Sequence, residues 1–303
     1  MHHQKLVATI VMILGMIVAS RGERAAADSQ ILVAERNQIS VISVSGEKQP
    51  FYTIPTPLTI MEKTAVEIVG EKIVILYGRT VVILDSLGKE LRRIEVPPEV
   101  TRFIDFVVLP DGRIAFLDNS RDRIYFVDSK GNYVKTLPFN TKPSKELQNL
   151  EGIVVGDALL LSGNAKGEIV KIDPATYEVS IFQNVSEHLN RLGAIAHDNG
   201  TFYLCKGTKI YSFSKGLENF RQVAEVPEAN ITGIAVEENS AFLVVNGASR
   251  ITDRTLESKY KTKKGILYEL NLETGTLSTI REDLNFPGDV AVLSSQSVSE
   301  KTL

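Results

Sequence analysis

Apolar and polar positions along this chain repeat in a recurring phrase. Residues 110–134 read PDGRIAFLDNSRDRIYFVDSKGNYV: two apolar runs, IAFLD and RIYFVD, flank a polar NSRD, and glycine turns close both outer ends. Short runs of β-branched and aromatic residues punctuated by Gly, Asp and Asn predict strands joined by tight hairpins. The paired runs can be read in six places: ILVAERNQISVIS (31–43), IVILYGRTVVILD (73–85), IAFLDNSRDRIYFVD (114–128), LLLSGNAKGEIVKID (159–173), FYLCKGTKIYSFS (202–214), and FLVVNGASRI with GILYELN (242–251 and 265–271). A further apolar strand belongs to each unit: AVEIVG, IDFVVLPDG, GIVVGD, GAIAHDNG, GIAVEENS and GDVAVLSS. Beyond residue 27 no segment sustains a helical apolar period, and ELQNLEG (146–152) is the one candidate helical turn.

Aligning these further strands puts Glu67, Asp105, Gly152, Gly193, Gly233 and Asp289 at one position, spaced by 38, 47, 41, 40 and 56 residues. A period of about 40 residues with four strands per unit predicts an all-β fold, a β-propeller, and six units predict six blades. GDVAVLSS has no partner strands after it, and the 31–43 pair has no inner strand before it. Together they complete one four-stranded blade from both ends of the chain, which covers two otherwise open sheet edges. The expected layout is a secretory signal over 1–27, the propeller over 28–296 and a disordered tail over 297–303.

The unit FIDFVVLPDGRIAFLDNSRDRIYFVDSKGNYVKTL (103–137) resembles the NHL repeat, with Asp111-Gly112, Asp118, Arg123, Ile124 and Gly131 on that family's pattern. The other units match in outline, carrying Glu35, Gly78, Asn164, Lys206 or Asn246 in place of Asp118. The absence of tryptophan argues against WD repeats, and the paired glycines of kelch repeats are missing. The resemblance implies a six-bladed fold shared with the gluconolactonase-like and strictosidine synthase-like groups, some of whose members are enzymes. Gluconolactonase-like enzymes place a divalent metal in the central channel, and their motif has no residue-by-residue match here.

Composition narrows the partners. The net charge is −3 over 303 residues, and losing Lys5, Arg21, Arg24 and Glu23 with a signal would take it to −5. A mildly acidic body lacks the basic footprint that nucleic-acid binding needs. Residues 6–19, LVATIVMILGMIVA, form an uncharged run shorter than the roughly 20 residues of a membrane span, so a cleaved signal is expected, after Ser20 or Ala27. The membrane would be met only through an uncleaved N-terminal segment. Cys205 is the single cysteine, which excludes an internal disulfide and a cysteine zinc cluster. An exported chain without disulfides points to a bacterial source. In a eukaryotic host the sequons at Asn184, Asn199 and Asn230 would matter.

Candidate chemistry gathers on one face. The second-to-third-strand hairpins and the starts of the inner strands share the upper rim of a propeller. There Glu67, Asp105, Asp289 and Glu35 either ring a hard cation such as calcium, which takes six to eight oxygens, or cap strands and bond backbone amides. Asp118 opens the turn DNSR, and a turn-shaping role is expected for it. The sixth hairpin, SRITDRTLESKYKTKKG (249–265), is the longest. Its Arg250, Arg254, Tyr260, Lys261, Lys263 and Lys264 form a basic candidate contact, or else a solvated insertion. His188 and His197 fall off the upper face, and Cys205 reads as core packing. No catalytic motif is present. These observations favour a monomeric, exported, non-enzymatic scaffold binding a protein, peptide or glycan on its upper face. The alternative is a calcium-dependent hydrolase of the lactonase type in which a channel cation polarises a carbonyl.

Overall fold

Strands buried on both faces read as unbroken apolar runs, whereas strands with one wet face alternate. The computed structural model of the protein bears this out. It describes residues 29–55, 64–96, 103–118, 123–138, 152–155, 159–162, 168–184, 193–214, 219–227, 231–246 and 264–293, and these form six four-stranded antiparallel sheets. The apolar run 6–19 with its two cleavage points, the candidate helical turn 146–152 except Gly152, which opens a strand, and the tail 297–303 lie outside the described residues. No helix among the described residues is long and apolar enough to cross a membrane.

The first sheet holds β1 (Gln30–Glu35), β2 (Gln38–Ser43) and β3 (Lys48–Thr53). The second is β4 (Thr64–Val69), β5 (Lys72–Tyr77), β6 (Thr80–Leu84) and β7 (Glu90–Glu95). The third is β8 (Phe103–Val108), β9 (Ile114–Asp118), β10 (Arg123–Val127) and β11 (Tyr133–Pro138). The fourth is β12 (Gly152–Val155), β13 (Leu159–Ser162), β14 (Glu168–Ile172) and β15 (Val179–Asn184). The fifth is β16 (Ile195–Asp198), β17 (Thr201–Lys206), β18 (Lys209–Ser214) and β19 (Arg221–Glu225). The sixth is β20 (Ile231–Glu237), β21 (Ser240–Val245), β22 (Gly265–Asn271) and β23 (Leu277–Leu284). The last strand, β24 (Asp289–Leu293), pairs antiparallel with β1 and completes the first sheet.

The inner strands β4, β8, β12, β16, β20 and β24 are neighbours in that order, and β24 returns to β4. This is a β-propeller. Between consecutive sheets lies one apolar seam each. On β1, Leu32 and Ala34 enter the seam with the second sheet, while Ile31 and Val33 enter the seam with the sixth. All four are fully buried, which is why ILVA does not alternate. Burying one such Leu, Ile or Val side chain contributes about 1.5–3 kcal/mol. The outer strands face water: ELRRIE of β7 buries only Ile94. Each outer strand also carries a register slip against its neighbour, which blunts an edge that would otherwise template association.

Turns after the third strands of the second, third, fourth and sixth sheets follow one design. Asp85, Asp128, Asp173 and Asn271 each accept backbone amides two to four residues on. The turn then presses on the preceding sheet. Gly131, at φ +89°, sits where a Cβ would meet Ile94 Cγ2 at 2.3 Å, so that position requires glycine on both counts.

Candidate functional site

Three inner-strand carboxylates step round half of the ring, each tied to the next sheet. Asp289 on β24 accepts the Val66 amide of β4 through Oδ2 (3.1 Å) and the Val290 amide through Oδ1 (2.8 Å). Asp105 on β8 repeats the pattern, with the Ile153 amide of β12 on Oδ2 (3.1 Å) and the Phe106 amide on Oδ1 (2.9 Å). Between them Glu67 on β4 accepts the Val108 amide of β8 at 2.7 Å. Glycine replaces the acid on the opposite half. At Gly233 a Cβ would lie 2.8 Å from the Asp289 Cα, so adjacent inner strands there approach backbone to backbone.

The ladder corrects one equivalence expected from the sequence. Asp105, Asp289 and Gly233 pair with Leu117, Ala34 and Val244, each the penultimate residue of its second strand. In the second sheet the residue opposite the penultimate Leu76 is Ala65, and Glu67 pairs with Val74. Ala65 therefore holds the aligned position, and Glu67 lies two residues farther along the channel. A slip of two keeps every side chain on its own face, so the pattern AVEIV could not reveal it. For the same reason Tyr77, not Gly78, is the counterpart of Asp118: Tyr77 faces Thr80 across its hairpin as Asp118 faces Arg123.

Glu67 is electrically perturbed. Burial pushes its carboxyl from 4.5 up to about 8; Asp105 and Asp289 push the same way, against the lowering effect of the Val108 amide. The three acids thus share one field while bonding three separate backbones. Among the described residues no group of three or more His, Cys, Asp or Glu has the arrangement to hold a metal ion.

Glu35 ends β1, fully buried, and is a knot within the first sheet. It forms an ion pair with Lys48 at 2.8 Å, accepts hydrogen bonds from Ser40 Oγ and Gln38 Nε2, and accepts the Asn285 amide at 2.6 Å. The last bond ties the hairpin to the segment that leads into β24. Glu35 and the three channel acids are therefore not brought together around one point; each has its own backbone partner. Asp118, in the position equivalent to Glu35, is likewise fully buried at the end of β9, and its turn (119–122) lies outside the described residues.

Of the basic hairpin, Arg250, Arg254, Tyr260, Lys261 and Lys263 lie outside the described residues, as do Asn164, His188 and Asn230. Lys264 is exposed just before β22. His197 stacks on Phe202 at 4.6 Å. Cys205 is buried in the seam between the fifth and sixth sheets, and burial pushes its thiol well up, away from nucleophilic use. Sequence reasoning missed a cleft of about 420 Å³ lined by Thr201, Tyr203, Ser212, Asn219, Arg221 and Leu272 among others. No motif marks it. Its lining comes from three strands and a neighbouring sheet.

No protein-family model and no curated protein matches the chain. Solved structures match its fold. A chain from the crystal structure of a nidogen/laminin complex is similar over 87% of this chain and 98% of its own length, with a TM-score of 0.63 at 12% identity. A protein of unknown function from Bacteroides caccae is similar over 88% and 98%, with a TM-score of 0.58 at 17% identity. At these identities the likeness establishes the β-propeller with four-stranded antiparallel blades and nothing finer.

Proposed function

We propose that this chain is an exported six-bladed β-propeller of the NHL-like kind whose upper face binds another protein and which catalyses no reaction. The observation that carries this reading is the fold's likeness to a chain seen in a protein–protein complex, nidogen with laminin. Two features support it. The channel acids that a lactonase-type enzyme would need for its cation are each bonded to a backbone amide of the next sheet. The segment 246–264, the longest joining second and third strands, carries the basic cluster. A rigid ring with such a hairpin is suited to an acidic partner surface, since charge complementarity raises the association rate and fixes register.

A photo-crosslinking residue at Lys264, on the upper rim, and another at Lys130, in an exposed lower turn, test the reading in intact cells. Discrete protein adducts from position 264 and none from 130 are expected. Adducts from 130 alone, or from neither, overturn it. N-terminal sequencing of the native protein tests export: a start at Arg21 or Asp28 agrees, and an intact Met1 refutes cleavage.

A further inference from the structure

The seam between the third and fourth sheets is plugged by a tyrosine. Tyr177, in the turn between β14 and β15, reaches back to the third sheet. Its ring meets Phe126 edge-on with centroids 5.0 Å apart, Lys135 Nζ lies 4.5 Å over it, and Arg113 donates to its hydroxyl. Three positions of the fifth and sixth sheets correspond. Ser212 faces Arg221 across its ladder as Phe126 faces Lys135. Thr201 opens the second strand where Arg113 precedes β9. Gly275 takes the place of Tyr177: its amide bonds the Asn271 carbonyl (2.8 Å) as that of Tyr177 bonds the Asp173 carbonyl (2.7 Å), and the two φ angles are +72° and +61°.

The plug is thus missing where its slot persists. The cleft of about 420 Å³ occupies this place, within the size range of small-molecule sites. Its walls differ in chemistry from the tyrosine slot. The Phe126 ring is replaced by Ser212, which is 6% exposed and makes no side-chain hydrogen bond among the described residues. The side chains of Thr201, Tyr203, Asn219 and Arg221 likewise make none among the described residues. Ser212 is buried, Thr201 and Tyr203 are half-buried, and Asn219 and Arg221 are exposed at the mouth, so the cleft offers five polar side chains to an occupant with several hydroxyls. Among the described residues the lining contains no carboxylate, while Val223, Leu272 and Phe220 supply an apolar wall. The homologous slot takes a six-membered ring, and these walls ask for a hydroxylated one.

We infer that the cleft between the fifth and sixth sheets binds a pyranose sugar residue, with Ser212, Thr201, Asn219 and Arg221 as its hydrogen-bonding partners. The site is on the lower side of the ring and does not depend on the upper-face reading. Saturation-transfer NMR on the whole mature protein, with a panel of neutral and uronic methyl pyranosides and with N-acetyltyrosinamide, tests it. A pyranoside is expected to bind with a millimolar Kd. Arg221→Ala, with unchanged melting, and Gly275→Tyr, which restores the plug, should each weaken binding at least about tenfold. A Cβ at 275 lies 3.6 Å from the Val223 carbonyl oxygen, an ordinary contact. Should Gly275→Tyr lower the melting temperature, Ser212→Val gives the same readout. No pyranoside binding at tens of millimolar, binding unaffected by the plug, or binding of the tyrosine amide alone overturns the inference.

Discussion

Glu67→Gln is the most informative single change in the channel. The side chain keeps its shape, and its carbonyl oxygen can still accept the Val108 amide, at 2.7 Å in the native protein. What disappears is the carboxyl whose pKa is raised from 4.5 to about 8 by burial and by Asp105 and Asp289. A raised folded-state pKa contributes stability that is fully present below 4.5 and is lost as pH rises through 8, because the unfolded chain ionises first. The whole shift corresponds to about 5 kcal/mol at 1.36 kcal/mol per unit. Glu67 is only half-buried, and channel water screens the Asp105 and Asp289 charges, so about half of that is expected. Urea unfolding of the mature protein and the variant at pH 5, 6, 7 and 8 reads it. The glutamine variant should be within about 1 kcal/mol of wild type at pH 5 and about 2 kcal/mol more stable at pH 8. A difference independent of pH, or a less stable variant throughout, would refute the reasoning and show that the Val108 amide holds an ionised carboxylate.

Glu35→Ala leaves Lys48 and the Asn285 amide without their buried acceptor, and a loss of about 3–5 kcal/mol in urea unfolding is expected; a loss below about 1 kcal/mol would mean that water takes over. Gly131→Ala puts a methyl into Ile94 at a left-handed backbone position, with an expected cost of about 2 kcal/mol and a lower Tm. If the channel acids serve only as ties between sheets, melting curves in calcium and in EDTA should superimpose, and a Tm raised by calcium would revive the cation site. Removing residues 251–263 should leave Tm unchanged while abolishing the adducts from position 264; adducts that survive would exclude the hairpin as the contact.

Much of the architecture was legible in the chain because a blade imposes a local code. Second and third strands buried on both faces demand continuous apolar runs such as ILVA and IYFV, and the turns after them demand Asp or Asn to bond amides and a left-handed residue next to the preceding sheet. These demands recur about every 40 residues, so the period, the order of strands and the joining of both chain ends in one sheet could be read from residue types alone. Register could not. A two-residue slip leaves each side chain on its own face, and only the ladder showed that Ala65, not Glu67, stands opposite Leu76. Partner choice was equally hidden. Glu67, Asp105 and Asp289 share a channel, yet tertiary geometry aims each at a different amide. The cleft at Ser212 is the furthest from sequence. It exists because Gly275 stands in one sheet where Tyr177 stands in another, and a missing side chain leaves no motif.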